Sequence, residues 1–290
     1  MSVNPILNPS VFPMLKRAPY PLCISVLMCI AVILAACATS PTGRRQLMLI
    51  SPEASIVESK KAYISTIQNL DAEKKLVTDP KLVKRIQTIT GRLVTEAVAL
   101  YPHTKDWEWS VAIINDKETI NAWCMAGGRM AIYTGIIDKL ELTDDEIAQI
   151  MGHEISHALA NHTAEQMSRA MAISVGVLAV GVAAENKAAA LTGAALAAKV
   201  ALELPNSRTA ESEADRIGTE LATRAGYAPE AAVSLWQKME KVGGSGPPQF
   251  LSTHPAPGNR QQRLTELVPQ MKQLNPTGKK SSVYPVTIVQ

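Results

Sequence analysis

The chain has 290 residues, 47% of them hydrophobic and 19% charged, and its formal net charge is +3. This near balance of charge, without a basic run interleaved with aromatic residues, excludes nucleic acid as an expected partner. About 250 residues follow the N-terminal apolar segment, a length that suits a single domain.

Residues 1–36 are predicted to be a lipoprotein signal peptide. Lys16 and Arg17 precede an apolar run, Leu22–Leu34, and two alanines stand directly before Cys37. A positive flank, a short apolar run and small residues are typical of a secretory signal, and the run is shorter than the roughly 20 residues of a membrane span. The ending resembles a bacterial lipobox, which implies cleavage before Cys37 and its lipidation. An uncleaved N-terminal anchor, or a cysteine that stands there by chance, is the alternative.

Cysteine usage and location follow from this prediction. Cys23 and Cys29 would leave with the signal and Cys37 would carry lipid, so Cys124 would remain alone, without a disulfide framework. A lone buried cysteine is more often a packing residue than a nucleophile. Position 38 is Ala38 rather than aspartate, and in the lipoprotein resemblance this implies a periplasmic protein anchored to the outer membrane.

The mature chain is predicted to contain a lipidated N-terminus and linker, residues 37–50, and one domain, residues 51–290. The stretch Ser40–Arg45 forms the linker to the lipid. Apolar residues recur at helical spacing in Pro52–Leu70 and Pro80–Tyr101, which predicts a helix in each.

A small sheet is predicted next. Apolar and other residues alternate over Trp107–Ile113, which favours a strand with one buried face. Gly127 and Gly128 break the following segment, and Arg129–Tyr133 alternates again. From Thr143 onward nearly everything is helical in pattern. The predicted fold class is therefore α+β, mainly helical.

The helix that begins after Thr143 contains several candidate metal-binding and catalytic residues. Thr143 is a hydroxyl N-cap with a glutamate at the capping-box position. His153 and His157 lie one turn apart on one face, and Glu154 can reach a water between the two rings. This H-E-x-x-H spacing is typical of a zinc site with a glutamate as general base. Continuing the helix turns His162 to roughly the opposite side, so His162 is not expected to be a ligand.

A third ligand must come from elsewhere, and an acidic stretch downstream is the candidate. After Pro205, Asn206 or Ser207 could cap a new helix, on which Glu211 and Asp215 share a face and Glu213 points away. A solvated acidic helix face is the alternative, and the H-E-x-x-H motif makes a metal role the stronger interpretation.

These motifs resemble a known family. His153-Glu154-x-x-His157, followed by Ser207-Arg208-x-x-Glu211-x-x-x-Asp215, resembles the gluzincin-type zinc endopeptidases related to CAAX prenyl protease 1 and HtpX, in a periplasmic bacterial lipoprotein branch. The similarity extends from about Ser40 to Leu267 and includes two flanking pieces, Asn121–Gly135 and Ser252–Pro255 with Arg260 after it. Ala126 departs from the family, which has proline there.

The resemblance implies a zincin-like domain with a small sheet and one Zn²⁺ per chain. His153, His157 and Glu211 would be the metal ligands, and Asp215 would hold a ligand histidine. Glu154 would be the catalytic base.

Substrate and partners are also implied by the resemblance. Asn121 and Ala122 would lie on an edge strand that binds extended polypeptide substrates. The implied function is a membrane-anchored periplasmic zinc endopeptidase that cleaves unfolded or misassembled envelope proteins. The outer-membrane assembly machinery is a further candidate partner, and the lipid provides the membrane contact. The rival hypothesis is an envelope chaperone or assembly factor with little or latent proteolysis.

His254 stands apart from the other histidines. Pro255 biases it toward an extended backbone that projects the ring, beside a loop rich in glycine and proline. Three hypotheses stay open: donation to the oxyanion that forms at the scissile carbonyl, a fourth metal ligand in a latent state, or an exposed loop histidine.

An apolar interval over residues 170–198 is interrupted by Glu185-Asn186-Lys187, and neither half reaches the length of a bilayer span. The pattern predicts an alanine-rich helical pair that packs in the core, with docking on a membrane or an apolar substrate as the alternative.

Overall fold

A computed structural model describes residues 37–183, 188, 192, 204–242, 249–255 and 258–290, so the predicted signal segment, residues 1–36, lies outside the described residues. The described helices are α1 (Pro52–Ala72), α2 (Pro80–Leu100), α3 (Thr134–Lys139), α4 (Asp144–Leu159), α5 (His162–Ala183), α6 (Leu204–Arg224), α7 (Glu230–Lys241), α8 (Gln249–Thr253) and α9 (Arg260–Lys272). The described strands are β1 (Cys37–Thr39), β2 (Arg45–Leu47), β3 (Ser110–Ile114), β4 (Ala122–Met125), β5 (Arg129–Tyr133) and β6 (Thr287–Val289).

The two predicted N-terminal helices are confirmed as α1 and α2. Ser51 caps α1 by accepting a hydrogen bond from the Ala54 N–H, and Asp79 caps α2 with its carboxylate. Each helix has proline in its first turn, where a missing N–H costs no helical hydrogen bond. The starts of both helices therefore follow from local sequence.

The main sheet has the strand order β4-β5-β3-β6 in the described part of the chain. Strand β4 runs antiparallel to β5, whereas β3 runs parallel to both β5 and β6. The prediction of a strand with one buried face is wrong, because all five residues of β3 are buried. Val111 and Ile113 face one apolar cluster, and Ala112 and Ile114 face another, as expected for a central strand.

Helix α4 lies at the centre of the fold, in contact with α2, α6, α7 and β4. Its predicted capping box is present: the Thr143 hydroxyl accepts from the Glu146 N–H, and the Glu146 carboxylate accepts from the Thr143 N–H. The mainly helical α+β fold with a small sheet is confirmed.

Helices α4 and α6 approach each other through glycine. A Cβ added to Gly152 would stand 2.8 Å from the Gly218 carbonyl oxygen, and one added to Gly218 would stand 2.6 Å from the His153 nitrogen. Only residues without side chains permit this backbone contact. The close approach brings the acidic side of α6 against the histidines of α4.

Two local predictions are corrected, one at the start of α6 and one in the stretch Ser40–Arg45. Helix α6 begins at Leu204, before the predicted caps Asn206 and Ser207, and takes Pro205 into its first turn. The stretch Ser40–Arg45, predicted to be a linker, is packed against helices, with Ser40 5% exposed. Strands β1 and β2 pair around it.

The first half of the predicted apolar helical pair is the end of α5, and most of the second half lies outside the described residues. Met171 is 45% exposed and Val175 63% exposed, so core packing does not account for these two residues. None of the described helices has the length and apolarity required to cross a membrane.

Candidate metal centre

Four side chains, from two helices and from the residue after α8, meet in one cluster. His153 and His157 come from α4, Glu211 from α6 and His254 from the end of α8, and one potential ligand atom of each lies within 4.8 Å of the others. The Nε2 atoms of His153 and His157 are 3.1 Å apart, and the Glu211 carboxylate lies 3.2 Å from the first and 3.6 Å from the second. The structure thus brings together the three predicted ligands.

The donor set and its surroundings fit a zinc ion. Two imidazole nitrogens and a carboxylate oxygen are the ligands of a catalytic zinc site that keeps one position open. Glu154 is 2% exposed, and its Oε1 has no hydrogen-bond partner among the described residues. Such an orphaned buried oxygen beside the donors is what a site for a metal and a water requires. Burial raises the pKa of Glu154 despite the nearby histidines.

His153 is held directly by a carboxylate. Its Nδ1 lies 3.1 Å from the Asp215 carboxylate, so this nitrogen carries a proton and Nε2 is the nitrogen that faces the cluster. Behind Asp215, the guanidinium of Arg260 donates to the same carboxylate and lies over the Trp236 ring, 3.3 Å from its centroid. The predicted position of Asp215 beside a candidate ligand histidine is therefore the one observed.

His157 is held in two steps. Its Nδ1 lies 2.8 Å from Nδ1 of His162, whose Nε2 lies 3.1 Å from the Glu213 carboxylate. The carboxylate can only accept, so His162 Nε2 donates to it, and His162 Nδ1 accepts from His157. This direction of hydrogen bonds leaves His157 Nε2 unprotonated toward the cluster. His162 is absent from the cluster itself, in keeping with its exclusion as a ligand.

The predicted orientation of His162 is nevertheless wrong. The prediction continued α4 as one helix, but α4 ends at Leu159, and Asn161 adopts a left-handed backbone with φ 54°. His162 therefore begins a new helix, and its ring returns to His157. Glu213 does point away from the cluster, but it is 5% exposed rather than solvated.

Charge in the cluster is divided unequally between the two histidines. Burial opposes a charge on His153, but hydrogen bonds to Asp215 and Glu211 outweigh it and raise its pKa to about 9. Burial and the neighbouring His153 hold the pKa of His157 well below its usual range. Burial also opposes ionisation of Glu211, yet the contacts with His153 and His254 lower its pKa. A metal that binds here must displace a proton from His153.

A segment near the N-terminus closes the far side of the centre. We call residues 40–47 the strap. Within it, the Thr42 hydroxyl donates to Glu213 at 2.6 Å, and Arg44 donates through Nε to Glu213 at 2.9 Å. The other two nitrogens of Arg44 bind both oxygens of Glu165 on α5, at 2.8 and 2.6 Å. Gln46 donates to Glu165 and to the Ala160 carbonyl at the end of α4.

His254 lies inside the cluster rather than on an exposed loop. Its side chain is 12% exposed, stacks on Phe250 with ring centroids 4.5 Å apart, and places Nδ1 3.2 Å from both oxygens of Glu211. Its Nε2 is 3.5 Å from Glu154. This geometry removes the exposed-loop hypothesis and keeps the two active ones.

The predicted substrate residues lie at the sheet edge. Ala122 begins β4, which is the edge strand of the described main sheet, and Asn121 precedes it, accepting from the Ala122 N–H through its side chain. Helix α4 packs against this strand. Cys124 on β4 is buried in the core, and burial, followed by the charge of Glu154, raises its pKa well above the usual value. Cys124 is thus a packing residue.

The sequence predictions missed the support of His157. His162 was considered only as a ligand, Glu213 only as a residue that points away, and Arg44 only as part of a linker. One signal was available: Glu213 and His162 are both polar residues that flank ligand motifs. Their partners on the strap carried no signal, because Arg44 and Glu213 are 169 positions apart.

Comparison with known proteins agrees with this geometry. The model of peptidase family M48 matches residues 80–268. The chain is 32% identical over 201 residues to mitochondrial metalloendopeptidase OMA1 of Arabidopsis thaliana, which covers 66% of this chain and 39% of the relative. It is 28% identical over 216 residues to the beta-barrel assembly-enhancing protease of Yersinia pestis, and this alignment covers 71% of this chain and 43% of the relative. The chain thus spans less than half the length of these curated relatives.

Proposed function

The chain belongs to peptidase family M48, and from that premise we propose that it is a zinc-dependent endopeptidase of the cell envelope. The observation that carries the proposal is the buried Glu154 carboxylate, whose Oε1 has no hydrogen-bond partner among the described residues, beside two imidazoles and the Glu211 carboxylate. A structural zinc site would be closed by four protein ligands and would not need an adjacent base. An unpartnered buried carboxylate is costly, which favours a reaction that uses it.

His153, His157 and Glu211 would hold the zinc ion. When bound, zinc supplies Lewis-acid chemistry: it polarises a carbonyl oxygen and acidifies water. Glu154 would take a proton from the water that attacks the scissile carbonyl and deliver it to the leaving amine. Burial raises the pKa of Glu154 above its ordinary value, which suits a group that both accepts and returns a proton.

The substrate is proposed to be an extended polypeptide. Strand β4 lies at the sheet edge next to α4, so its outer backbone groups can pair with a peptide in β-conformation. Asn121 and Ala122 would contribute to this pairing. Only unfolded or loop segments can adopt the required conformation, which favours unfolded or misassembled envelope proteins as substrates. The name of the Yersinia pestis relative also supports an interplay with the outer-membrane assembly machinery.

The location is proposed from the N-terminal sequence. Residues 1–36 would be removed as a signal, and Cys37 would carry the lipid that anchors the protein to the outer membrane from the periplasm. The Cys37→Ser variant should then incorporate no labelled fatty acid. Label in that variant would overturn the lipobox interpretation.

The proposed reaction is tested by Glu154→Gln. This variant should keep its zinc content and lose casein digestion by about a thousandfold or more, because an amide cannot accept the proton. The matched control is Glu58→Gln, which makes the same change at an exposed ion pair with Lys61. Digestion by Glu154→Gln at the wild-type rate would remove Glu154 from the mechanism.

A latent state is the second candidate, favoured by the position of His254 within the cluster. If His254 occupies the open metal position, the envelope chaperone or assembly role with little proteolysis becomes the resting activity. His254→Ala should then raise basal casein digestion, whereas it should lower kcat if the ring stabilises the oxyanion. Unchanged activity together with unchanged zinc affinity would exclude both roles.

A further inference from the structure

The strap reaches the metal centre through buried ionic contacts that the proposed reaction does not use. The side chains of Glu165 and Glu213 are 5% and 3% exposed, and Arg44, itself 16% exposed, is their shared cation. Burial of two carboxylates is favourable only when they are paired and hydrogen-bonded. The guanidinium meets both through separate nitrogens, which a lysine cannot do.

We propose that the strap is a positioning element for the ring of His157. Thr42 and Arg44 fix the Glu213 carboxylate by hydrogen bonds to its two oxygens. That carboxylate fixes the ring and tautomer of His162, and His162 in turn orients His157. The inference rests on the proposed function, since it assigns His157 as a zinc ligand.

The direction of the hydrogen bonds explains why the ring needs this support. His157 can offer Nε2 to a metal only while Nδ1 keeps the proton, and an acceptor at Nδ1 is required for that. His162 could accept or donate at Nδ1, so its own tautomer must be set by a group that only accepts. Glu213 is that group. Its carboxylate can serve only if its other contacts hold it in place.

Glu165 connects the strap to the start of α5, where His162 lies. Arg44 binds both oxygens of Glu165, and Gln46 joins Glu165 to the Ala160 carbonyl at the end of α4. The strap thereby spans the break between α4 and α5, the point at which the backbone turns His162 toward His157. Removal of Arg44 would free both the carboxylate and this turn.

Zinc affinity of the full chain, measured by competition with a chromophoric chelator, tests the inference. Arg44→Ala should weaken zinc binding by about tenfold, the lower end of the effect of losing the direct partner of a ligand histidine, because Arg44 acts through Glu213 and His162. Thr42→Val, which preserves shape, should weaken it less, and Arg44→Lys should lie between wild type and Arg44→Ala. Arg45→Ala is the matched control, because Arg45 is the adjacent cation and its side chain is exposed.

A double-mutant cycle distinguishes positioning from a general loss of stability. If the strap acts through His162, Arg44→Ala should have little further effect on zinc affinity in a His162→Ala background. The cobalt-substituted protein should show altered visible absorption bands in Arg44→Ala and unaltered bands in Arg45→Ala. Wild-type zinc affinity in Arg44→Ala, or equal effects with and without His162, would overturn the inference.

Failure of the proposed function would give a different result. A wild-type protein that binds zinc without digesting casein would contradict the peptidase proposal and leave the strap inference standing. A wild-type protein that digests casein, with Arg44→Ala unchanged in zinc affinity, would contradict the strap inference alone.

Discussion

The two histidines of α4 are one turn apart and are held in different ways. The partner of His153 is the Asp215 carboxylate, which comes from the neighbouring helix. The partner of His157 is another histidine, His162, with a carboxylate behind it. Both arrangements direct Nε2 toward the cluster, so the same orientation is reached by one hydrogen bond in one case and by two in the other.

The difference teaches where each arrangement gets its rigidity. The direct contact depends on the packing of α4 on α6, in which Gly152 and Gly218 allow close approach. The indirect contact depends on the strap, which lies far away in sequence. Damage to the helix pair should therefore affect the site and the fold together, whereas damage to the strap should affect mainly His157.

The largest effect is expected when the direct contact is broken. Asp215→Ala removes the nearer of the two carboxylates that pair with the buried guanidinium of Arg260, and loss of one partner of a buried pair costs about 3–5 kcal/mol. The free energy of unfolding in urea should fall by that amount, and zinc affinity should fall about ten- to a hundredfold. Glu220→Ala is the control on the same helix, since it removes a partly exposed pair with Arg224.

A weaker effect of Asp215→Ala than of His162→Ala on zinc affinity would contradict this ranking. The direct contact would then not be the dominant support.

Gly218→Ala should affect both arrangements at once. The new methyl group would clash with the backbone of His153, so α6 would move away from α4 and carry Glu211 and Asp215 with it. Overpacking of this kind costs about 1–3 kcal/mol. Thermal unfolding of the metal-free protein measures the loss of stability, and chelator competition measures the loss of zinc affinity.

Gly176→Ala provides the comparison for that variant. Gly176 lies on α5 with nothing within 4 Å of an added Cβ, so alanine should stabilise the helix there by about 1 kcal/mol. A Gly218→Ala protein as stable as Gly176→Ala would show that the close approach is dispensable.

The sequence predicted one arrangement and missed the other for a physical reason. Asp215 was found because it lies one turn from Glu211 on a helix, and helical spacing is readable from sequence. The orientation of His162 was predicted wrongly because the sequence near Asn161 carries no strong signal for the end of α4. The strap was taken for a linker because its contacts join positions 171 and 169 apart, which periodicity cannot show.

The same distinction between local patterns and contacts of distant segments applies to the fold. Helix ends set by Ser51, Asp79 and Thr143 were predictable because caps are local. The burial of β3 on both faces was not, because its second face is covered by side chains from other elements, such as Ile67 and Leu70 of α1. Local chemistry was predictable, and the pairing of distant segments was not.

The smallest expected effect is a loss of stability at acidic pH, and it tests the contact between the strap and Glu165. Glu165 faces Arg44 and Gln46 from the strap and Arg169 from its own helix. Burial opposes its ionisation, but these hydrogen bonds outweigh burial and lower its pKa to about 2. A carboxylate whose folded pKa is depressed contributes stability that is present above about pH 4.5, its unfolded pKa, and is lost as pH falls toward 2. For Glu165 this loss is on the order of 1 kcal/mol at pH 4.

Arg44→Ala should remove part of that contribution, because the pKa of Glu165 would rise toward its ordinary value. The variant should therefore be less stable than the wild type at pH 7, and the difference in free energy of unfolding should shrink as pH falls from 5 to 3. Urea titrations of the metal-free proteins at several pH values measure this difference, with Arg45→Ala as the control that shows none. A difference that stays constant over that range would mean that Arg44 stabilises the fold by packing its stem rather than by pairing with the carboxylates of Glu165 and Glu213.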